Sequence, residues 1–304
     1  AAPAEAKEYK VALCMSGAAN DQGWNQTAYE GAVKACEKYG MSLDYSENLT
    51  PADIASAFAD YAAAGYDVII GHGYEFGDPA LEVAATYPDV LFVCTEADAA
   101  ADNVASYVMA CEQTAYVEGV IAAMMTKTGK VGGIGPLQGD SLVKIINGFE
   151  DGAKATNPDI VVETAWTNSF VDTQLAQEAA EAMIDDGVDV IKHCANACGN
   201  GAISAAVAAD ILCQGDSYDQ SSFAPDHMVD SALYNLDVVL DIALGSISDG
   251  TFKGEVYNLG FADGAVDLCF TKNIPDDVKA AAEELMEKIK SGEFEVVRDY
   301  TIRN

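Results

Sequence analysis

The sequence predicts an α/β protein made of two similar lobes, each a parallel sheet wrapped by helices. Three observations carry that expectation. Short apolar runs alternate with stretches of helical period that often stop at glycine, the pattern of strand–helix–strand layers with right-handed crossovers. The alternation is complete by about residue 107 and then begins again, in a chain of 304 residues that exceeds the usual size of one domain. Runs such as YDVII and VDVIKHC are apolar throughout, as strands covered on both faces are.

The first half reads in order as follows. Val11 to Met15 is a buried strand, and a small polar loop carrying Asp21, Trp24 and Asn25 leads into a helix from Gln26 to Tyr39 that Gly40 stops. Met41 to Tyr45 is the second strand. Thr50-Pro51-Ala52-Asp53 reads as an N-cap with proline at the first helical position, and its helix runs to Ala64 before Gly65. YDVIIGHG is a strand ending in a glycine-rich turn, Pro79 to Tyr87 a helix, and LFVCTEAD a strand whose end presents Thr95, Glu96 and Asp98. Asn103 to Met109 has no helical period and suits a strand crossing between lobes.

The second half repeats the order. A helix from Gln113 to Thr126 precedes a strand at Lys130 to Gly135, then a helix from Leu142 to Ala155 and a strand from Ile160 to Trp166. NSFVDTQLAQEAAEAMIDDG is a loop feeding an amphipathic helix that stops at Gly187. VDVIKHC follows as a strand, Gly199-Asn200-Gly201 opens the next helix, and ILCQGD is a strand ending in Asp216. HMVDSA is a further candidate strand before a helix through about Ile247. VYNLGFADGAVDLCF is strand-like with glycine breaks, Asp276 to Ser291 is a surface helix, and VVRDYTIRN reads as a short edge segment. The two halves echo each other in architecture without a sequence repeat.

Composition narrows the function classes. Forty-nine acidic against 16 basic residues give a formal charge of −33, which repels phosphate backbones and anionic headgroups and argues against a nucleic-acid partner. A small neutral or cationic ligand is compatible with that charge. No apolar run reaches the roughly 18 residues that a membrane span needs. The first ten residues, AAPAEAKEYK, are unpatterned and read as a tether. Eight cysteines are scattered, mostly through apolar segments, and read as buried thiols rather than a disulfide framework. His193, Cys194 and Cys198 form a metal-like cluster, but no second cluster completes four ligands, so no metal or other cofactor is expected.

Candidate site residues follow from topology, because ligands of open α/β sheets bind outside the carboxyl ends of the strands. If two such layers face each other, those ends line one interdomain cleft. They carry Asp21, Trp24 and Asn25; Gly71, His72, Gly73 and Phe76; Glu96 and Asp98; Pro136 and Gln138; Trp166, Ser169 and Phe170; Asn196, Gly199 and Asn200; and Asp216. Two aromatics would sandwich a flat ring while carboxylates and amides address its edge or an attached sugar. Duller readings stand beside these. Trp24 packs equally well under a helix start with Asp21 or Asn25 as its cap, Trp166 and Phe170 suit a core, His72 suits a satisfied loop position, and Glu96 and Asp98 suit solvent. The first loop has no GxGxxG, no phosphate-cradling GKS/T and no nucleophile beside a base.

NDQGWNQTAYEG, YPDVLFVCTEAD, ASYVMACEQTAYVEGVIAAMMTKTGKVGGIG, NGFEDGAKATNPDI, NSFVDTQLAQEAAEAMIDDGVDVI, GNGAISAA and GFADGAVDL, in that order and spacing, resemble the basic membrane protein (BMP) family of substrate-binding lipoproteins. The resemblance covers about Tyr9 to Gly292. It implies two Rossmann-like lobes of type I periplasmic binding protein architecture joined by a three-strand hinge, closing on a purine nucleoside. It also implies an ABC permease and its ATPase as partners, an extracytoplasmic or lipid-anchored location, a monomer and no catalysis. The lobes are then expected at 11–109 plus 231–259 and at 110–230 plus 260–304, with 1–10 as tether. By the same resemblance Trp24 and Asn25 hold the base. Glu96, Phe170, and Gly199 or Gly201 match further contacts, and Asp216 matches an aspartate that holds ribose hydroxyls. The chain departs from the family pattern in having Trp24 for Phe, Glu96 for Asp, CQGD for IGVD and Tyr234 where a lysine is expected. The competing reading is a hydrolytic enzyme of α/β class acting on nucleosides with Asp21, Glu96 or Asp216 as base or metal ligand, for which the first loop lacks clustered aspartates.

Overall fold

A computed structural model describes residues 8–21 and 23–303, so residues 1–7 of the expected tether lie outside the described part. The chain divides into two compact units, residues 1–109 with 235–259 and residues 110–234 with 260–304. The chain returns to the first unit at Asn235, four residues later than the sequence suggested, because the strand ending at Tyr234 belongs wholly to the second unit's sheet.

The first unit begins with β1 (Lys10–Met15), α1 (Trp24–Tyr39), β2 (Ser42–Ser46), α2 (Ile54–Ala63), β3 (Val68–His72), α3 (Gly77–Ala84), β4 (Leu91–Thr95) and β5 (Val104–Met109). The second unit continues with α4 (Cys111–Met125), β6 (Lys130–Gly135), α5 (Asp140–Thr156), β7 (Val161–Trp166), α6 (Thr173–Asp185), β8 (Val190–His193), α7 (Asn200–Ala208), β9 (Leu212–Gly215) and β10 (Met228–Tyr234). The chain then returns α8 (Leu236–Ser248) and β11 (Val256–Leu259) to the first unit, and gives β12 (Val266–Phe270) and α9 (Asp276–Lys290) to the second.

The first sheet has the order β11-β5-β4-β3-β1-β2 and every neighbouring pair is parallel. The second has the order β12-β10-β9-β8-β6-β7, parallel except where β12 runs against β10. The glycine-broken tail therefore supplies one strand to each sheet. In both units the strand order reverses beside the first strand, between β1 and β3 and between β6 and β8, which makes those strand ends the topological switch points.

Strands covered on both faces account for the apolar runs: β3 is buried at all five positions. Beneath the first sheet Phe58 of α2 lies 5.9 Å from Phe76 and 5.8 Å from Phe92 between ring centroids. Each such ring contributes about 1.5–3 kcal/mol by leaving water. In the second unit α4 and α5 touch backbone to backbone. A Cβ on Gly119 would lie 2.0 Å from the Phe149 carbonyl oxygen and one on Gly152 1.9 Å from that of Tyr116, so only glycine fits at either crossing.

Two expectations need correction. Pro51 is not the first residue of a helix: Thr50 Oγ1 donates to Asp53 at 2.5 Å, closing a turn that delays α2 to Ile54. The described part of the closing VVRDYTIRN, through Arg303, forms no strand. Arg298 donates to the buried Glu112 of α4 at 2.8 Å, and Asn147 of α5 donates to the Asp299 and Thr301 carbonyls, so side chains rather than a ladder hold it. All eight cysteines are free thiols, seven of them buried, and burial pushes Cys14, Cys94 and Cys213 up to about 12, far from reactive thiolates.

Candidate functional site

Backbone strain marks the strand ends. Six non-glycine residues among those described have left-handed backbones, and five of them, Asn48, Glu96, Asn168, Asn196 and Ser217, follow the carboxyl ends of β2, β4, β7, β8 and β9. Such conformations cost about 1 kcal/mol or more each and persist where surrounding contacts enforce them.

At the switch point of the first unit, Trp24 is the first residue of α1 and stacks on His72 of β3, with ring centroids 4.3 Å apart and planes 26° apart. His72 Nε2 donates to the Trp24 carbonyl at 3.1 Å, and its Nδ1 accepts from Thr95 Oγ1 at 2.8 Å. Thr95 Oγ1 in turn accepts from the Gly73 N–H, which directs its own hydrogen at the imidazole. Burial pushes His72 down to about 4, against the opposing pull of the Trp24 carbonyl and Asp21, so the ring is neutral near pH 7. One face of a half-buried indole is thus backed by a rigid, uncharged plane.

Asp21 and Asn25 tie the loop together. The Asp21 carboxylate accepts from the backbone N–H groups of Gly23, Asn25 and Gln26 and from the Asn25 amide, capping α1 from outside its first turn. Asn25, buried, accepts from the Gly17 N–H at 3.3 Å. The capping alternative is therefore what Asp21 does in this structure, and the pair fixes where the indole stands.

In the second unit Asp216 follows β9 directly and is buried. Its Oδ1 accepts from the Tyr234 hydroxyl and its Oδ2 from Ser217 Oγ, both at 2.9 Å. Its backbone N–H donates to Gln220 Oε1 at 2.9 Å, and the same oxygen accepts from His193 Nε2 at 2.9 Å. Burial, reinforced by the Asp216 charge, pushes the Tyr234 hydroxyl well above its ordinary range, so it stays a neutral donor. A carboxylate has roughly four acceptor positions, and these two hydroxyls fill one on each oxygen. Deeper in the unit, Lys192 of β8 lies 2.6 Å from Glu118 of α4, and both are fully buried. Burial pulls the Lys192 ammonium down, yet Glu118 and Asp216 more than reverse it for a net rise. Burial likewise raises Asp230 of β10 to about 6, although Gln214, Lys192 and Glu118 pull it back.

The remaining expected residues scatter. Phe76 does not line a site: the short turn Tyr74–Phe76 folds its ring into the core against Phe58 with no exposure. Glu96 bends back onto the end of β5, its Oε1 accepting from the Met109 N–H at 2.6 Å. Trp166 is half-buried on the edge strand β7, its ring lying against Gly135 of β6. Phe170 is half-buried, and its carbonyl accepts from the Cys198 N–H at 2.9 Å. Gly199 packs under the His193 ring, where a Cβ would sit 1.9 Å from Nδ1. The metal-like cluster is otherwise engaged: His193 faces Gln220, and Cys198 Sγ donates to the Asp172 carbonyl at 2.9 Å. Sequence reasoning missed Gln220, Ser217 and the supporting role of His193, and the polar loop SYDQSS gives no spacing signal for them.

The family of PnrA-like ABC transporter substrate-binding proteins, the Bmp family, matches residues 8–299. The chain belongs to that family. Over 297 residues it is 34% identical to a purine-binding protein of Brucella abortus, covering 97% of this chain and 84% of the relative. A Bacillus subtilis relative named as the transcriptional activator protein med is 29% identical over 96% of this chain and 92% of its own. Among solved structures, an ABC transporter solute-binding protein of Aeropyrum pernix K1 superimposes with a TM-score of 0.83 at 24% identity, over 96% of this chain and 94% of that one, and shares the fold. For a PnrA-like protein, two mostly parallel sheets flanked by helices are the periplasmic binding protein type I fold that the sequence led us to expect. No helix among the described residues is long and apolar enough to cross a membrane.

Proposed function

We propose that this PnrA-like protein is the extracytoplasmic solute-binding component of an ABC importer and that its ligand is a purine nucleoside or a related nitrogenous ring compound. The observation that carries the ligand class is the likeness to the Brucella abortus purine-binding protein along 97% of the chain. The chemistry of the strand ends supports it. Within the first unit Trp24, backed by neutral His72, offers a flat aromatic face of the kind a ring stacks on, and within the second Asp216 offers acceptor positions of the kind hydroxyls fill. The permease and ATPase of the importer are the proposed macromolecular partners, with attachment to the membrane through a lipid.

A regulatory reading has the Bacillus subtilis relative in its favour. A formal charge of −33 opposes any version of it that touches DNA directly. Ligand capture is tested by thermal unfolding with adenosine, guanosine or inosine. Saturating ligand raises Tm by mass action, about 2.7 kcal/mol of added stability at a hundredfold excess over Kd. No rise with any nucleoside, nucleobase or flavin overturns the ligand class, and release of free base replaces binding with hydrolysis.

A further inference from the structure

Around Asp216 several polar groups of the second unit converge on one residue, two on its carboxylate and the others through its main chain. Gln220 is the hub. Its side-chain oxygen is identified by its partners, because the Asp216 backbone N–H can only donate and must meet an acceptor. That oxygen also receives His193 Nε2, which must therefore carry the ring proton. His193 Nδ1 accepts from the Ala195 N–H at 3.4 Å, consistent with the same tautomer, and burial pushes the ring toward neutrality. The Gln220 N–H donates to Ser231 Oγ of the adjoining strand β10 at 3.2 Å, so both ends of the residue are fixed. Gly199 lies directly against the His193 ring, where any side chain would collide with it.

The carboxylate is fixed separately. Ser217 holds Oδ2 from a left-handed backbone, Tyr234 holds Oδ1, and the Tyr234 N–H donates to the Ser217 carbonyl at 3.0 Å, closing a ring of contacts about Asp216. Buried amides and imidazoles are costly unless fully paired, and a completed network fixes geometry more than it adds stability. A carboxylate pinned at its backbone and at one lone pair of each oxygen presents its remaining acceptor positions in one fixed plane.

We infer that Gln220 and Ser217 are positioning residues that aim the Asp216 carboxylate and so set the preference for ligands bearing two adjacent hydroxyls. The inference rests on the proposed nucleoside reading and adds to it the residues that create the selectivity. Neither residue needs to touch the ligand. Gln220 acts through the Asp216 main chain and Ser217 through its side chain.

The test is calorimetric titration of the full chain, Gln220→Leu and Ser217→Ala with the best-bound of adenosine, guanosine and inosine and with its 2′,3′-dideoxy counterpart. The wild type prefers the diol. Gln220→Leu is expected to reduce that preference about tenfold and Ser217→Ala about threefold, with dideoxy affinity unchanged within about twofold. A purely structural role would weaken both ligands alike, and equal losses overturn the inference, as does an unchanged preference. Ser217 sits in a half-buried loop and loses one hydroxyl only, so its variant decides the matter should Gln220→Leu fail to fold. Gln220→Glu keeps the acceptor oxygen and is expected to retain most of the preference. If the wild type binds no nucleoside, the nucleoside reading falls and this inference with it. If it binds and the ratios hold constant, only the inference falls.

Discussion

The two units share a fold plan but furnish their strand ends differently. In the first, the groups beside the switch point satisfy one another: Asp21 caps α1, Asn25 ties Gly17 to Asp21, and His72 is held between Thr95 and the Trp24 carbonyl. What is left over is an aromatic surface. In the second, buried polar groups surround a carboxylate whose partners leave acceptor positions over. One unit is thereby suited to shape and stacking, the other to hydroxyl recognition. The first unit's switch point has been filled by saturating hydrogen bonds, while the end of β9, one strand beyond the second unit's switch point, keeps acceptor capacity.

The sharpest way to break this contrast is to remove the carboxylate. Asp216→Asn keeps the shape but replaces one acceptor oxygen with a donor that faces Tyr234 or Ser217. We expect nucleoside affinity to fall about a hundredfold by titration, since hydrogen bonds to a charged group contribute roughly 1.5–3 kcal/mol. Trp24→Ala comes next. Stacking of a base on an aromatic ring is worth about 1–3 kcal/mol, so affinity drops about tenfold or more while Tm changes little, and Trp24→Phe retains most of it. A Trp24→Ala protein that binds normally returns the indole to a packing role.

His72 of the first unit and Asp230 of the second differ in the sign of their response to pH. His72, held near 4 against an ordinary value of 6.5, contributes stability that is fully present above about 6.5 and is lost as pH falls toward 4. Asp230, raised to about 6 from 3.8, acts the opposite way: its contribution is full below about 4 and is lost as pH rises through 6. His193 in the second unit shares the sign of His72, so differences between variants and wild type carry the test. In urea unfolding between pH 4 and 7, His72→Gln gains on the wild type as pH falls and Asp230→Asn gains as pH rises. Parallel pH curves for either variant and the wild type contradict the assignment.

The smallest effect separates capping from binding. Asp172 accepts from the Gln174 N–H at the start of α6 in the second unit, much as Asp21 serves α1 in the first. Either aspartate changed to alanine is expected to lower stability by about 1 kcal/mol. Nucleoside affinity should stay within about threefold of wild type, and a much larger loss in Asp21→Ala would give that residue a direct contact.

The fold was largely legible in the sequence because buried parallel strands and glycine-stopped helices leave local patterns, as YDVII and VDVIKHC do. Element starts were less so. The Thr50–Asp53 turn imitates a helix start, and the hydrogen bonds between those two residues close it as a turn before α2 begins. Among the candidate residues of each unit, Trp24 in the first and Asp216 in the second were visible as chemically distinctive residues at strand ends. Phe76 was not separable from them, because an aromatic after a strand can face either the core or solvent, and a single 3-10 turn decides which. Gln220 and Ser217 left no signal at all, since their roles depend on a loop folding back beside β9 and β10.

The most direct test of the central claim is titration of the full chain with adenosine, guanosine and inosine, followed by chromatography of the bound fraction. Saturable binding at one site, with the nucleoside recovered intact, is the result expected of a PnrA-like solute-binding protein with this chemistry. Failure to bind any of the three, or recovery of free base, would contradict it.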